Sequence, residues 1–147
     1  MKSVHKSVLI WHSPAEMFAL VSDVTQYPQF LPWCSEGVVL ERTPDGMLAR
    51  IGMSIGGFTK TFSTRNAHVP DCRIHLELVD GPFSRLDGTW DFKPVGDGSQ
   101  KACKIEFSLN YAFASSTLAA LVGPVFDKIA STFVDAFVKR ADQVYGA

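Results

Sequence analysis

Apolar and polar residues alternate along most of the chain, a pattern typical of half-buried antiparallel strands. The clearest run is 103–113, where Cys103, Ile105 and Phe107 begin an apolar series that alternates with polar neighbours. Shorter runs of the same kind precede it, separated by turn signals such as Gly56-Gly57 and Gly96-Asp97-Gly98. The pattern predicts one strand near the N-terminus and about six more after residue 38.

Three stretches have helical signals instead. Ser13-Pro14-Ala15-Glu16 is a capping box with proline at the first helical position, which predicts a helix through Val21. Residues 24–34 carry two prolines and predict a short helix or a tight loop. Near the C-terminus an apolar stripe recurs at helical spacing, with Pro124 marking either a kink or the true start. The stripe consists of Val122, Phe126, Ile129, Phe133, Phe137 and Val144.

This order of elements predicts an α+β fold, with a single antiparallel sheet of about seven strands curved around one long C-terminal helix. Short helices follow the first strand. Because the sequence has no linker, repeat or low-complexity tract, we expect residues 1–147 to form one domain. A curved sheet and one helix leave room for an apolar pocket between them.

Composition argues against several classes of protein. A net charge of −1 argues against binding through phosphate neutralisation, so we expect no DNA partner, and RNA contact would need a local basic patch. The three cysteines, Cys34, Cys72 and Cys103, are odd in number and widely spaced. They predict free thiols in a reducing cytosol rather than a disulfide framework or a zinc site. With no apolar signal-peptide run at the N-terminus, we expect a cytoplasmic protein.

No catalytic constellation is evident. The four histidines lack the spacing of metal ligands, and no serine lies in a nucleophile elbow. Asp91 and Glu106 fall on the outward faces of their strands, where neither is a convincing buried acid. We therefore expect a protein that is not an enzyme and that requires no metal or cofactor.

Aromatic residues are the main candidates for a binding site. One group lies between prolines in 27–33 and forms either a lid over the cavity or a plug at one end of the sheet: Tyr27, Phe30, Leu31 and Trp33. A second group faces inward from the sheet and the terminal helix, as core, as cavity wall or as both: Phe83, Trp90, Phe92, Phe107, Leu109, Phe126, Ile129, Phe133 and Phe137. Because its indole N–H needs a partner when buried, Trp90 is the candidate for a ligand carbonyl.

Cations on or near the strands give a second candidate surface: Lys60, Arg65, Arg73, Arg85, Lys93 and Lys104. If they share one outer face, they form either a docking patch for ribosomal RNA or a solvated face balanced by acids, of which the second is favoured.

Four segments resemble one protein group across nearly the whole chain. They are residues 23–34, residues 62–66, residues 80–86 with 88–92, and residues 123–130 with 136–141. The most specific motif is Tyr-Pro-x-Phe-Leu-Pro-Trp-Cys at 27–34. The chain is similar to the Coq10/RatA group, coenzyme Q-binding proteins and ribosome association toxins, within the START-like (START/Bet v 1-like) helix-grip superfamily.

The resemblance implies two roles. The first is non-enzymatic binding of a polyprenyl quinone such as ubiquinone in the cavity, which supports respiration and brings transient contact with the inner membrane. The alternative is a ribosome association toxin that binds the large ribosomal subunit and blocks subunit joining. A third and weaker reading is an enzyme of the polyketide cyclase or aromatase type. Residue physics supports the first most directly, since a prenyl tail needs only apolar walls.

Overall fold

Seven antiparallel strands and two α-helices make up the fold, with a short 3-10 helix before the second strand. The computed structural model describes residues 1–97, 99 and 101–146. The strands are β1 (Lys2–Ile10), β2 (Cys34–Thr43), β3 (Gly46–Ile55), β4 (Phe58–Val69), β5 (Arg73–Asp80), β6 (Phe83–Pro94) and β7 (Cys103–Phe113). The helices are α1 (Pro14–Ser22), the 3-10 helix (Val24–Gln29) and α2 (Ser116–Tyr145). The predicted α+β architecture is confirmed.

The strands form one sheet in the order β1-β7-β6-β5-β4-β3-β2, so β1 and β2 are its two edges. Consecutive strands from β2 to β7 pair as hairpins, and β1 pairs with β7. Because β1 and β2 lie at opposite edges, α1 and the 3-10 helix carry the chain across the open side. The Gly56-Gly57 turn adopts positive φ at both residues, as a tight hairpin requires. The predicted turn at 96–98 includes Gly98, which lies outside the described residues.

Bulges bend the sheet into a trough. Register shifts occur twice in β2, between Ser63 and Thr64 in β4, and between Phe83 and Arg85 along β6. Each extra residue kinks its strand and increases the local twist. The sheet therefore wraps around α2 instead of lying flat against it.

The segment that crosses the open side is anchored at both ends. The Ser13 side chain accepts a hydrogen bond from the Glu16 amide, and the Glu16 carboxylate accepts one from the Ser13 amide, which confirms the predicted capping box. The 3-10 helix then packs closely on β2 at Gly37. A Cβ built there would lie 1.9 Å from the carbonyl oxygen of Val24, so only glycine permits this approach.

Helix α2 begins well before Pro124. Ser115 is its N-cap and accepts from the Leu118 amide, which leaves Pro124 inside the helix. Of the two alternatives that the sequence left open, a true start at Pro124 is therefore wrong. Proline lacks an N–H, so the helix loses one backbone hydrogen bond at this position.

The buried stripe of α2 differs in part from the predicted one. Val122, Phe126 and Phe137 are buried as expected, whereas Val144 is 49% exposed and was wrongly placed in the stripe. The small residues Ala130 and Ala141 are buried, and Ile129 and Phe133 remain half-exposed at the side of the stripe. The end of the helix presents Ala141 and Tyr145 to the core instead, so Val144 lies on the solvent side.

By length and composition α2 is able to span a membrane. In this structure its buried stripe is instead part of the same hydrophobic cluster as β3, β6 and β7. It is the core helix of the fold.

Replacing Phe137 tests this packing. Its ring is fully buried and meets Tyr27, Trp90 and Phe133 at centroid distances of 5.0–5.3 Å. We expect Phe137→Ala to lower the free energy of unfolding by about 3–5 kcal/mol, because it removes a buried ring and leaves a cavity. Urea unfolding followed by circular dichroism measures the change.

Val144→Ala, on the exposed side of the same helix, is the control and should change stability by no more than about 0.5 kcal/mol. Equal losses in the two variants would show that the buried stripe has been misassigned.

Candidate functional site

A partly open apolar cavity lies between the concave face of the sheet and α2. Its unfilled volume is about 90 Å³. The walls come from every strand between β3 and β7, from α2, and from the segment around the 3-10 helix. The lining residues are Val24, Tyr27, Trp33, Ala49, Ile51, Phe62, Thr64, Asn66, Leu76, Leu86, Trp90, Phe107, Leu109, Phe126, Ile129, Ala130 and Phe133.

Aromatic rings form the floor of the cavity. Trp90 on β6 packs 4.5 Å from Phe107 on β7, and both rings meet Phe133 of α2 at less than 6 Å. Strand register explains the first contact, since Trp90 and Phe107 are directly opposite residues on the same face. Tilted and edge-to-face pairs of this kind add about 0.5–1.5 kcal/mol each to simple area burial. The floor is therefore rigid.

Polar groups on the wall come from β4. Thr64 and Asn66 are buried inward-facing residues, and the Thr64 hydroxyl donates to Asn66 Oδ1 at 2.7 Å. Strand alternation places residues i and i+2 on one face, so the two side chains are neighbours inside the cavity. Tyr27 also lines it, but its hydroxyl is directed away and donates to the Val21 carbonyl. Burial raises the pKa of Tyr27, so this hydroxyl stays neutral.

The size of the cavity limits what it encloses. Its volume of about 90 Å³ is well below the roughly 300–1,000 Å³ of pockets that bury drug-sized ligands. Trp33, Phe62, Ile129 and Phe133 line it and retain partial exposure. In this conformation the cavity has room for a group of ring size, and anything longer must extend toward solvent.

Eight of the thirteen residues predicted as ligand contacts line the cavity. They are Tyr27, Trp33, Trp90, Phe107, Leu109, Phe126, Ile129 and Phe133. The other five lie behind or beside its walls: Phe30, Leu31, Phe83, Phe92 and Phe137. Contact with a ligand remains a prediction for the whole set.

The 27–33 segment has features of both alternatives that the sequence left open, and its role remains a prediction. Leu31 is only 2% exposed and belongs to the core cluster, as a plug would. Tyr27 and Trp33 border the cavity, as a lid would. Phe30 lies beneath the guanidinium of Arg140, 5.3 Å from its ring centre, at the outer side of the segment.

Sequence reasoning missed about half of the cavity wall. The missed residues are Val24, Ala49, Ile51, Phe62, Thr64, Asn66, Leu76, Leu86 and Ala130. For the strand residues the signal was present, since Thr64 and Asn66 continue the alternation that begins at Phe62. A pattern of apolar side chains does not mark these two residues, because both are polar.

No reactive group faces the cavity among the residues that the structure describes. Within that part of the chain no cluster of His, Cys, Asp and Glu is able to hold a metal ion. His12 is buried and its Nε2 lies 2.8 Å from Asp142, but this pair lies at the far end of α2, outside the lining. Burial raises the pKa of Cys103 to about 11, which keeps this thiol protonated at neutral pH.

A second depression lies at the surface beside the start of α2, with a volume of about 430 Å³. It contains a polar network in which Lys2 and Tyr111 both donate to the Asp127 carboxylate. Burial alone would raise the pKa of Asp127, but the hydrogen bonds from Lys2 and Tyr111 outweigh it and hold that pKa below its usual value. These groups satisfy one another, so the first cavity is the candidate site.

Comparisons with known proteins agree with this geometry. Residues 10–138 match the family described as polyketide cyclase / dehydrase and lipid transport. The chain is 43% identical over 146 residues to the ribosome association toxin RatA of Vibrio cholerae, covering 99% of both chains. It is 26% identical to the mitochondrial coenzyme Q-binding protein COQ10 homolog B of Xenopus laevis, covering 96% of this chain and 58% of that protein.

Among solved structures, a START superfamily protein from Mycobacterium smegmatis superposes with a TM-score of 0.79 at 21% identity, covering 97% of this chain and 98% of that one. This similarity confirms the helix-grip fold.

Thiol labelling tests the burial around the site. Cys72 is exposed, whereas Cys34 and Cys103 are buried and burial raises the pKa of both thiols. At pH 8 we expect one thiol per chain to react rapidly with a disulfide reagent and two to react only as the protein unfolds. Absorbance of the released thiolate gives the count.

Cys72→Ser should abolish the rapid phase and leave the slow one unchanged. A rapid second thiol in the folded protein would contradict the packing around Cys34 or Cys103.

Proposed function

Since the chain belongs to the polyketide cyclase / dehydrase and lipid transport family, we propose, from its relatives within that family, that it associates with the ribosome. The observation that carries this proposal is the 43% identity to a ribosome association toxin across 99% of both chains. The aligned region includes nearly the whole of that toxin. The ribosome reading therefore takes precedence over the quinone reading, which the sequence alone had favoured.

The proposed activity is binding and not catalysis. Association with the large subunit would block its joining to the small one simply by occupying the interface, and no bond needs to be made or broken. The absence of a reactive group around the cavity, within the described residues, is compatible with this mode. Because ribosomes are cytoplasmic, the proposal also implies a cytoplasmic protein.

Any contact with ribosomal RNA must be local, because the net charge is only −1. Four of the six cations proposed for the outer face are paired with acids: Arg73 with Asp91, Arg85 with Asp87, and Lys93 and Lys104 with Glu106. Lys60 is opposite Met53 and lies on the other face. Arg65 has no ion pair among the described residues and is the cation that we propose for a phosphate contact.

We infer a second function for the interior, the binding of an apolar molecule in the cavity. Its support is the apolar wall around an unfilled volume of about 90 Å³. The likeness to a coenzyme Q-binding protein makes the ring of a quinone such as ubiquinone a candidate occupant, with its tail outside the cavity. We also propose that residues 1–147 act as one domain, since the buried residues form one continuous cluster.

The first turns of α2 offer a surface for transient contact with the inner membrane. Leu121 and Val125 are exposed there, and residues 107–126 contain no charged side chain. An exposed apolar surface without charged side chains favours contact with a membrane.

Sedimentation tests ribosome association directly. Purified protein is mixed with separated ribosomal subunits before magnesium is raised to the concentration at which they join; it should co-sediment with the large subunit in a sucrose gradient and reduce the 70S peak. We expect Arg65→Glu to weaken this association about tenfold, because it removes one phosphate contact and adds a like charge. Immunoblotting of the fractions gives the bound share.

The matched control is the double variant Arg73→Ala with Asp91→Ala, which removes an ion pair without changing the net charge and should bind as the parent does. An unchanged 70S peak with all protein at the top of the gradient would contradict the proposed function. If Arg65→Glu binds as tightly as the parent protein, the contact lies on another surface.

Filling the cavity tests ligand binding separately. Ala130 lines it and is only 2% exposed. Ala130→Leu adds three carbon atoms to a space of about 90 Å³, so we expect it to reduce binding of a one-isoprene ubiquinone at least tenfold. Isothermal titration calorimetry measures the affinity.

Ala120→Leu makes the same change at an exposed position of the same helix and should leave binding unaltered. If the parent protein binds no quinone and carries no lipid in native mass spectrometry, the cavity has no such function.

A further inference from the structure

Polar residues from β4 interrupt the apolar wall of the cavity at one place. Thr64 is 4% exposed and Asn66 is 7% exposed, yet both line the cavity. Burying an amide and a hydroxyl against an empty apolar space is costly unless each group has a hydrogen-bond partner. A pair in this position needs a physical reason.

The protein supplies partners for only some of the hydrogen-bonding groups of this pair. Thr64 donates to Asn66 Oδ1 at 2.7 Å, which occupies the carbonyl side of the amide and fixes its orientation. Within residues 1–97, 99 and 101–146, the Asn66 side-chain N–H₂ makes no hydrogen bond. A donor is therefore held at the cavity wall with no acceptor to receive it.

Backbone packing holds Asn66 in place. Residue Gly46 on β3 is opposite Ala67, and a Cβ built on Gly46 would lie 1.8 Å from the Asn66 carbonyl oxygen. The glycine lets the two strands approach closely at this point. The backbone that carries the Asn66 side chain is therefore closely packed against β3, and support of this kind is what selective recognition requires.

We propose that Asn66 recognises a carbonyl oxygen on the buried end of the cavity's ligand, with Thr64 as the residue that orients the amide. The inference rests on the proposed ligand binding and states which chemical group of the ligand is recognised. The ligand class is a ring-sized apolar molecule with a ketone or quinone oxygen as a hydrogen-bond acceptor. The small volume confines the recognised part to about one ring, and the remainder passes the half-exposed Trp33 and Phe62.

A matched pair of small ligands tests the proposal. Acetophenone and α-methylstyrene have nearly the same shape, but the first carries a carbonyl oxygen where the second carries a methylene group. Both are titrated into the full chain, and two-dimensional NMR gives the dissociation constants. The measured quantity is the ratio of the two affinities, compared between the parent protein and Asn66→Leu, so that the different hydrophobicities of the ligands cancel.

We expect Asn66→Leu to shift this ratio about tenfold in favour of α-methylstyrene, the effect of losing one amide–carbonyl hydrogen bond in a dry site. Thr64→Val should shift it in the same direction by less, because the amide stays but is free to rotate. Ile51→Leu, another wall residue, is the control and should change both affinities by the same factor.

The parent protein supplies a readout that needs no variant. Acetophenone should move the Asn66 side-chain amide resonances, and α-methylstyrene should leave them nearly unmoved. This measurement keeps the proposal testable if Asn66→Leu fails to fold.

Each other outcome has a distinct meaning. If both ligands bind and the ratio is the same in the parent and in Asn66→Leu, the role of Asn66 is overturned while ligand binding stands. If the Trp90 indole resonance responds to acetophenone and the Asn66 amide does not, the carbonyl is held by Trp90 and the assignment is overturned. If neither ligand binds, the proposed ligand binding fails and this inference fails with it.

Discussion

The packing of α2 into the trough of the sheet is the interaction on which the rest of the structure depends. Its centre is the ring cluster that joins Trp90 and Phe107 of the sheet to Phe133 and Phe137 of the helix. A flat sheet would meet one helix along a single line and bury little. The bulges in β2, β4 and β6 curve the sheet, so that rings on β6 and β7 reach the helix while an unfilled space remains beside them.

The same curvature explains why an unfilled space remains. Packing is dense where large rings face each other, but Ala49 on β3 and Ala130 on α2 also line the cavity, and their side chains are too small to fill it. Small side chains in the wall thus help to leave its volume of about 90 Å³ unfilled. An isoprenoid tail longer than this space would have to remain outside or to displace the 27–33 segment, which Leu31 anchors in the core.

Much of the fold could be predicted from the sequence because alternation and capping are local signals. The capping box at Ser13 and the alternation from Cys103 to Phe113 are both found in the structure. The errors came where burial depends on a distant partner. Val144 satisfies the helical spacing, but Ala141 and Tyr145 are the residues that pack on the core at this end of the helix. Spacing alone does not show which of several neighbouring residues meets the core.

The candidate site, like the fold, could be predicted from the sequence only in part. Aromatic wall residues were predictable because large apolar side chains on an inward face are conspicuous. Thr64 and Asn66 occupy the same inward face but resemble solvent-facing residues in composition, and alternation alone does not show that this part of the face borders an empty space. Polar residues at a binding site are therefore the ones that hydrophobic patterning is least able to find.

Alternation along β4 also separates the two functions proposed for this chain. Arg65 faces solvent, while its neighbours Thr64 and Asn66 face the cavity, so adjacent residues serve opposite sides of one sheet layer. A change on the outer face leaves the inner wall intact, because no side chain is shared between them. Docking on a large partner and recognition of a small ligand are thus free to vary independently.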